Sequence, residues 1–283
     1  MVDIVQLAYS VIIGLVQGIS EWLPVSSKTQ VLVASNYLLG LNFQQAYSFG
    51  LFMEVSTILA AVIYFRNELV SLAKALLGSR EGGNKKLLAY VVVATVATGI
   101  IGAPLYMIAD SIKGISIGIP MIVIGLVLLG DAFVIHYSKN KQKLGNNTRK
   151  FEDLTLKDYI LVGIAQGIAA LPGVSRSGIT TSTMLLLNVE PDEAFRLSFL
   201  VGIFAAIAAS SLTMIVSREN VIAALSAIGS VGLVAAIITS TLVSLFLIDF
   251  LIKVAGRSRI VYLTAALGII AMIGGISYIF LGI

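Results

Sequence analysis

Six apolar stretches, at about 46–65, 87–108, 115–137, 192–216, 221–248 and 259–282, are each long enough to be read as one bilayer-crossing helix, which takes roughly 20 apolar residues. Two others, 4–41 and 158–189, break that pattern: each is longer than one span and too short for two separate ones. Their centres read Pro24-Val25-Ser26-Ser27 and Pro172-Gly173-Val174-Ser175-Arg176-Ser177-Gly178, and proline, glycine and hydroxyl residues in such runs cannot continue a regular helix. The pattern predicts two re-entrant hairpins, segments that enter the membrane and leave on the side they came from.

The two interrupted segments also repeat each other. Gly14-Leu-Val-Gln17-Gly18-Ile-Ser-Glu21 leads into the first break as Gly163-Ile-Ala-Gln166-Gly167-Ile-Ala-Ala170 leads into the second, and Ala46-Tyr-Ser-Phe-Gly resembles Ala194-Phe-Arg-Leu-Ser at nearly the same spacing. Each repeat, 4–137 and 158–282, holds one hairpin and three spans. An odd number of crossings inserts the second copy upside down relative to the first. The expected fold is therefore an all-α integral membrane protein of one domain, with six transmembrane helices and two re-entrant helical hairpins in an inverted-topology repeat. The hairpins then enter from opposite faces and meet near the midplane.

Composition agrees: 58% of residues are hydrophobic and 12% charged, too apolar a balance for a soluble domain. Met1-Val2-Asp3 lacks a basic region and no small-residue cleavage pattern follows, so the first segment is expected to stay in the mature protein. With no cysteine, thiolate chemistry and disulfides are excluded. The net charge of +4 follows from membrane topology and calls for no nucleic acid. Nearly all Lys and Arg outside the hairpins fall on one side, from Arg66 through the 139–150 loop to Arg259, leaving Lys113 and Arg218 on the other. By the positive-inside rule both termini, and the site carried by the first hairpin, are expected to face outward across the cell membrane.

Charged side chains at bilayer depth cost roughly 2.5–3.5 kcal/mol each on insertion scales, so they mark a cavity or a partner. Glu21, Glu54, Arg176 and Arg196 fall in or beside the repeated segments. The stretch from Gly173 to Thr180 has the makings of a phosphate cradle: Gly173 and Gly178 for close approach, Ser175, Ser177 and Thr180 hydroxyls, the Arg176 guanidinium and the free N–H groups of a following helix. It could equally be a polar re-entrant turn. Glu21, one helical turn after Gln17 and just before Ser26 and Ser27, can act as a general base, hold a divalent cation, or merely pin the hairpin. Glu54 and Arg196 belong to the site or neutralise each other or hairpin residues. Lys28 binds phosphate or reaches to the outer interface. His136, the only histidine, is an interfacial residue in this reading, which excludes phosphohistidine phosphatases.

At these residues the chain resembles the undecaprenyl-diphosphate phosphatase family, integral-membrane proteins associated with bacitracin resistance. Gly14 to Ser27 resembles the family's Glu/Gln-x-x-x-Glu segment running into Leu-Pro-Val-Ser-Ser, and Pro172 to Thr180 resembles its Pro-Gly-x-Ser-Arg-Ser-Gly-x-Thr motif. The resemblance implies hydrolysis of a polyprenyl diphosphate to the monophosphate and inorganic phosphate. It assigns function to Gln17, Glu21, Ser27, Ser175, Arg176, Ser177 and Thr180. Two departures stand out. Gln30 occupies the place of the family's histidine, and the carboxylate of the following helix, Glu54, lies one turn from its place in the family pattern.

The expected mechanism has Arg176, Ser175, Ser177, Thr180 and the helix start after Gly178 holding the diphosphate, with Glu21 activating Ser27, or water directly. Mg²⁺ or Ca²⁺ bridges Glu21 and phosphate oxygens. Gln17, Ser26, Gln30, Gly173, Glu54 and Arg196 complete the expected substrate site, and the prenyl tail lies among the helices, open to membrane lipid. The rival reading is a transporter that flips a polyprenyl phosphate, since inverted repeats are common in transporters. A homodimer is compatible with such a bundle.

Overall fold

The computed structural model describes residues 4–78, 82–111, 118–143, 148–254 and 259–281. Among these the secondary structure is α-helix joined by short turns, with one 3₁₀ turn at Phe151–Asp153 and one isolated bridge between Arg149 and Val189. The helices are α1 (Ile4–Ser20), α2 (Ser27–Leu39), α3 (Phe43–Tyr64), α4 (Arg66–Leu76), α5 (Gly82–Ser111), α6 (Gly118–Lys143), α7 (Leu156–Ile168), α8 (Arg176–Leu186), α9 (Pro191–Val216), α10 (Arg218–Ile228), α11 (Ser230–Val254) and α12 (Arg259–Leu281). Residues 115–117 and 282 of the expected spans, and Lys113, lie outside the described residues.

Among the described residues, four helical segments have the length and apolarity to cross a membrane: Phe43–Tyr64, Lys85–Ala109, Pro191–Val216 and Ser230–Val254. The protein is thus a multi-pass, all-α membrane protein. The other two expected spans fall on α6 and α12, which pack on each other and carry shorter apolar stretches, Met121–Val134 and Gly268–Phe280. The expected helix 221–248 is corrected. It breaks at Gly229, whose φ of 71° is open to glycine at little cost, and yields the short α10 followed by α11. Hydrophobicity alone does not register such a break. Helix α4 was not expected either. It buries Leu72 and Ala75, and its Glu68 in the first turn and Lys74 in the last complement the helix dipole.

Both interrupted segments form helix–turn–helix pairs: α1 and α2 joined by residues 21–26, α7 and α8 by residues 169–175. A reciprocal cap between Asn42 and Gln45 then starts α3, and Pro191 at the first position of α9 suits a helix start that needs no N–H there. The packing of the two pairs repeats. Helix α1 lies on α11, where a Cβ at Gly14 would come within 2.5 Å of the Ala236 carbonyl oxygen and one at Gly18 within 2.7 Å of that of Ser240. Helix α7 lies on α5 in the same manner, with Gly163 over Ala94 at 2.4 Å and Gly167 over Thr98 at 3.0 Å. Small residues four apart let helix backbones approach closely where lipid offers no hydrophobic driving force. Helices α3 and α9 pack on each other between the two pairs. The tip residue Trp22 meets Phe199 of α9 edge-on at 5.0 Å, which fixes the first turn against the core.

Candidate active site

The turns of the two hairpins meet, and their side chains interlock across the junction. Glu21 lies one helical turn beyond Gln17, and the Gln17 amide donates to its Oε2 at 2.8 Å. Ser27 opens α2 and donates its hydroxyl to the same oxygen at 2.6 Å. The residue before it, Ser26, holds a left-handed backbone at φ 55°, a strained conformation for a non-glycine residue that aims Ser27 back toward Glu21. Glu21 Oε1 accepts from Arg176, which opens α8 in the other hairpin. The Glu21 side chain is 2% exposed and that of Arg176 17%, so this pair is held away from bulk water.

Arg176 Nη1 donates to Glu54 Oε2 at 3.2 Å and to the Gly202 carbonyl at 3.0 Å. A guanidinium has five N–H donors, and three are used by Glu21, Glu54 and Gly202, which leaves two. Lys28 makes the reverse crossing, from the first hairpin to the turn of the second. Its ammonium donates to the carbonyls of Ala169 and Val174, the latter at 2.9 Å. Gly50 of α3 makes room for this, because a Cβ there would stand 2.5 Å from the Lys28 carbonyl oxygen. Lys28 is 4% exposed and its ammonium is held by carbonyls of the second turn, so the snorkelling reading is corrected. Two carboxylates and two cations leave the cluster without net formal charge, and their pairing offsets part of the cost of burying four charges.

The hydroxyls of the second turn build the junction itself. Ser175 accepts from the Gly178 N–H at 3.2 Å as the N-cap of α8, Ser177 donates to the Leu23 carbonyl at 2.9 Å, and Thr180 bonds the Arg176 carbonyl at 2.7 Å and the Ser198 hydroxyl. Ser26 and Thr29 share a hydrogen bond of 3.0 Å, and Thr29 accepts from the Gly173 N–H at 3.1 Å. Gly173 has φ 92°. The amide of Gln30 turns back to the Val25 carbonyl at 3.2 Å and does not reach Glu21. Arg196 is not brought into the site: it is 57% exposed and pairs with Glu68 of α4. Of the pairings open to Glu54, the one made is with the hairpin residue Arg176 and not with Arg196.

A cavity of about 130 Å³ opens beside this cluster. Lys28, Glu54 and Arg176 form one part of its wall, and Gly99, Gly102, Ala103, Ala205 and Leu212 are among the small and apolar residues that form the rest. Thr29, Gly202, Thr95 and Gln166 were not anticipated as site residues. Gln166 carried a signal, as the repeat partner of Gln17, whereas the Gly202 carbonyl is backbone and left none. The starts of α2 and α8 converge here too, and helix N-termini present free N–H groups to anions.

These features define a class: a helical membrane protein with a buried, charge-balanced serine–carboxylate–guanidinium site at the mouth of a mostly apolar cavity. The particular family follows from comparison with known proteins. The chain belongs to the bacitracin resistance protein BacA family, whose model matches residues 10–273. It is 49% identical over 267 residues to a protein of Saccharolobus solfataricus named undecaprenyl-diphosphatase, covering 94% of each chain. Proteins of the same name from Sulfurisphaera tokodaii and Pyrobaculum islandicum are 46% identical over 265 residues and 39% identical over 274 residues, covering 93% and 96% of this chain and 95% and 97% of theirs.

Proposed function

We propose that this protein hydrolyses an undecaprenyl-type polyprenyl diphosphate to the monophosphate and inorganic phosphate, recycling a lipid carrier of envelope or glycan synthesis. The observation that carries the reading is the Ser27 hydroxyl donating to Glu21 at 2.6 Å, beside Arg176 and an apolar cavity. The names borne by its relatives support it.

In this mechanism Glu21 takes the Ser27 proton as Oγ attacks the terminal phosphorus. The P–O bond to the bridging oxygen breaks, the leaving polyprenyl monophosphate takes the proton from Glu21, and a phosphoserine remains. Water, deprotonated by Glu21, then releases inorganic phosphate and restores the serine. The spare N–H groups of Arg176 and the starts of α2 and α8 hold the equatorial oxygens, and Ser175 can turn its hydroxyl proton toward them.

A Mg²⁺ or Ca²⁺ ion fits this donor set. No group of three or more acidic, His or Cys residues occurs among the described residues, but Mg²⁺ is usually held by one or two carboxylates together with substrate phosphates. Glu21 and Glu54, which converge on Arg176, would hold it. Because the cluster is itself neutral, a cation would supply the charge that balances the diphosphate and polarises its oxygens.

The reading includes insertion in the cell membrane as an inverted repeat, with re-entrant hairpins, both termini outside and the site opening outward. The mirrored seating of α1 on α11 and α7 on α5 and the one-sided distribution of Lys and Arg support this arrangement. Phosphate release from a long-chain polyprenyl diphosphate by the purified protein in detergent, with and without Mg²⁺ or Ca²⁺, tests the function. Hydrolysis proceeds without a sealed bilayer; release of none by folded protein would favour the lipid transporter.

A further inference from the structure

A diphosphate presents two phosphates, and Ser27, Glu21 and Arg176 account for only the one that is attacked. On the reaction proposed above, we propose that Lys28, Thr95 and Gln166 form a second phosphate subsite, which holds the phosphate that stays on the lipid. All three line the same cavity as Arg176.

The Lys28 ammonium has three N–H donors and gives two of them to the Ala169 and Val174 carbonyls. Both nearby carboxylates, Glu21 and Glu54, are taken by Arg176. The third Lys28 proton therefore has no partner among the described residues. Two oxygens of the wall are in the same condition: Thr95 Oγ1 on α5 and Gln166 Oε1 on α7 are buried without a hydrogen bond. Gln166 is 2% exposed. A buried polar group without a partner is unfavourable, and a folded protein recovers that cost when a ligand meets it.

The two wall groups are linked. The Gln166 amide donates to Thr98 Oγ1 at 3.0 Å, and Thr95 lies on the same face of α5, three residues before Thr98. Thr98 in turn donates to the Ala94 carbonyl at 2.7 Å, which is also within reach of its own helix. Turned over about its last bond, the Gln166 amide presents its NH₂ to the cavity and its oxygen to Thr98, whose hydroxyl then turns its one proton from the Ala94 or Gly163 carbonyl to that oxygen. The subsite then offers an ammonium N–H, a hydroxyl that can turn its proton to the ligand and an amide NH₂, with one positive charge. That set suits a phosphate monoester and does not suit a cation or an apolar head. Beyond it the wall continues with Gly99, Gly102 and Ala103, where the first isoprene unit would lie. The attacked phosphate goes to the junction of the hairpins and the retained one to the α5–α7 wall, which sets the direction of cleavage.

The test uses farnesyl monophosphate as a short form of the product and inorganic phosphate as the other product, each as an inhibitor of phosphate release from farnesyl diphosphate. The double variant Thr95→Val with Gln166→Leu keeps the volume of the wall and removes its polar atoms. It is expected to weaken inhibition by farnesyl monophosphate about tenfold or more, the scale of one hydrogen bond to a charged group, and to raise KM in step. Inhibition by inorganic phosphate stays near the wild-type value. Lys28→Met does the same and Lys28→Arg restores it. The proposal is overturned if the double variant, eluting and melting as the wild type does, is inhibited by farnesyl monophosphate as strongly as the wild type, or loses both inhibitors equally. Calorimetric binding of farnesyl monophosphate in detergent separates this from the reaction: a wild type that binds it more tightly than the double variant yet releases no phosphate overturns the reaction and keeps the subsite.

Discussion

The two hairpins share a sequence pattern and a helix–turn–helix course but carry opposite chemistry. In the first, the helix before the turn ends in Gln17 and Glu21 and the turn delivers Ser27. In the second, Gln166 is retained, the position of Glu21 is taken by Ala170, and the turn delivers Arg176. One copy thus keeps the carboxylate and the nucleophile and the other the guanidinium, with Lys28 crossing in the opposite sense to Arg176. Neither hairpin is complete alone. The lesson is that two turns of similar sequence and course divide one cluster between them through differences at single side chains.

This division is broken most severely at the nucleophile. Ser27→Ala is expected to lower phosphate release by a factor on the order of a thousand or more while the diphosphate still binds, as measured by turnover and by equilibrium binding. Turnover near the wild-type rate would assign the attack to water. The second hairpin's part is tested by Arg176→Lys, which keeps the charge but cannot span Glu21, Glu54 and the Gly202 carbonyl together. Its kcat is expected to fall about a hundredfold, the scale of one transition-state donor lost from a preorganised site.

The packing should be symmetric where the chemistry is not. Gly163→Ala and Gly14→Ala each push a Cβ into a backbone carbonyl oxygen, at 2.4 Å and 2.5 Å, so both should destabilise by about 1–3 kcal/mol in thermal unfolding. Gly102→Ala, with its nearest neighbour at 3.4 Å, should lose far less. A difference between the first two variants much larger than their shared loss would break the comparison.

The smallest effect concerns how the second hairpin is anchored outside the membrane. Asp158, in the first turn of α7, is pushed up by burial but pulled down further by bonds from Arg149 and the Thr155 N–H and hydroxyl, so its carboxyl titrates below the ordinary value. A depressed carboxylate stabilises the fold above its unfolded pKa, about 3.9, and that contribution is lost as pH falls through the lower folded value. Asp158→Asn should therefore lower Tm at neutral pH, and the gap to the wild type should close below about pH 4.

Much of this architecture was legible because bilayer spans and broken segments leave long, coarse signals. The two turns, and the Glu21, Ser27 and Arg176 side chains that meet there, fall where the sequence sets proline, hydroxyl and charge inside apolar segments. What escaped was short-range or backbone-borne. The break at Gly229 is one residue of left-handed backbone inside a uniformly apolar run, and α4 is too polar to register as a span. Arg196 looked like a site residue because it lies in a repeated segment, but a one-residue difference in helix phase separates a cavity wall from a surface, and it faces Glu68. The Gly202 carbonyl acts through an atom every residue possesses, so no side chain announced it.

The central claim, that the hairpins act as one site through the pairing of Glu21 with Arg176, is tested most directly by a double-mutant cycle on kcat for phosphate release. Glu21→Gln and Arg176→Gln are each expected to lower kcat by about two to four powers of ten, and the double variant is expected to be no slower than the slower single one. If the two losses multiplied, the residues would be acting independently and the shared site would be contradicted.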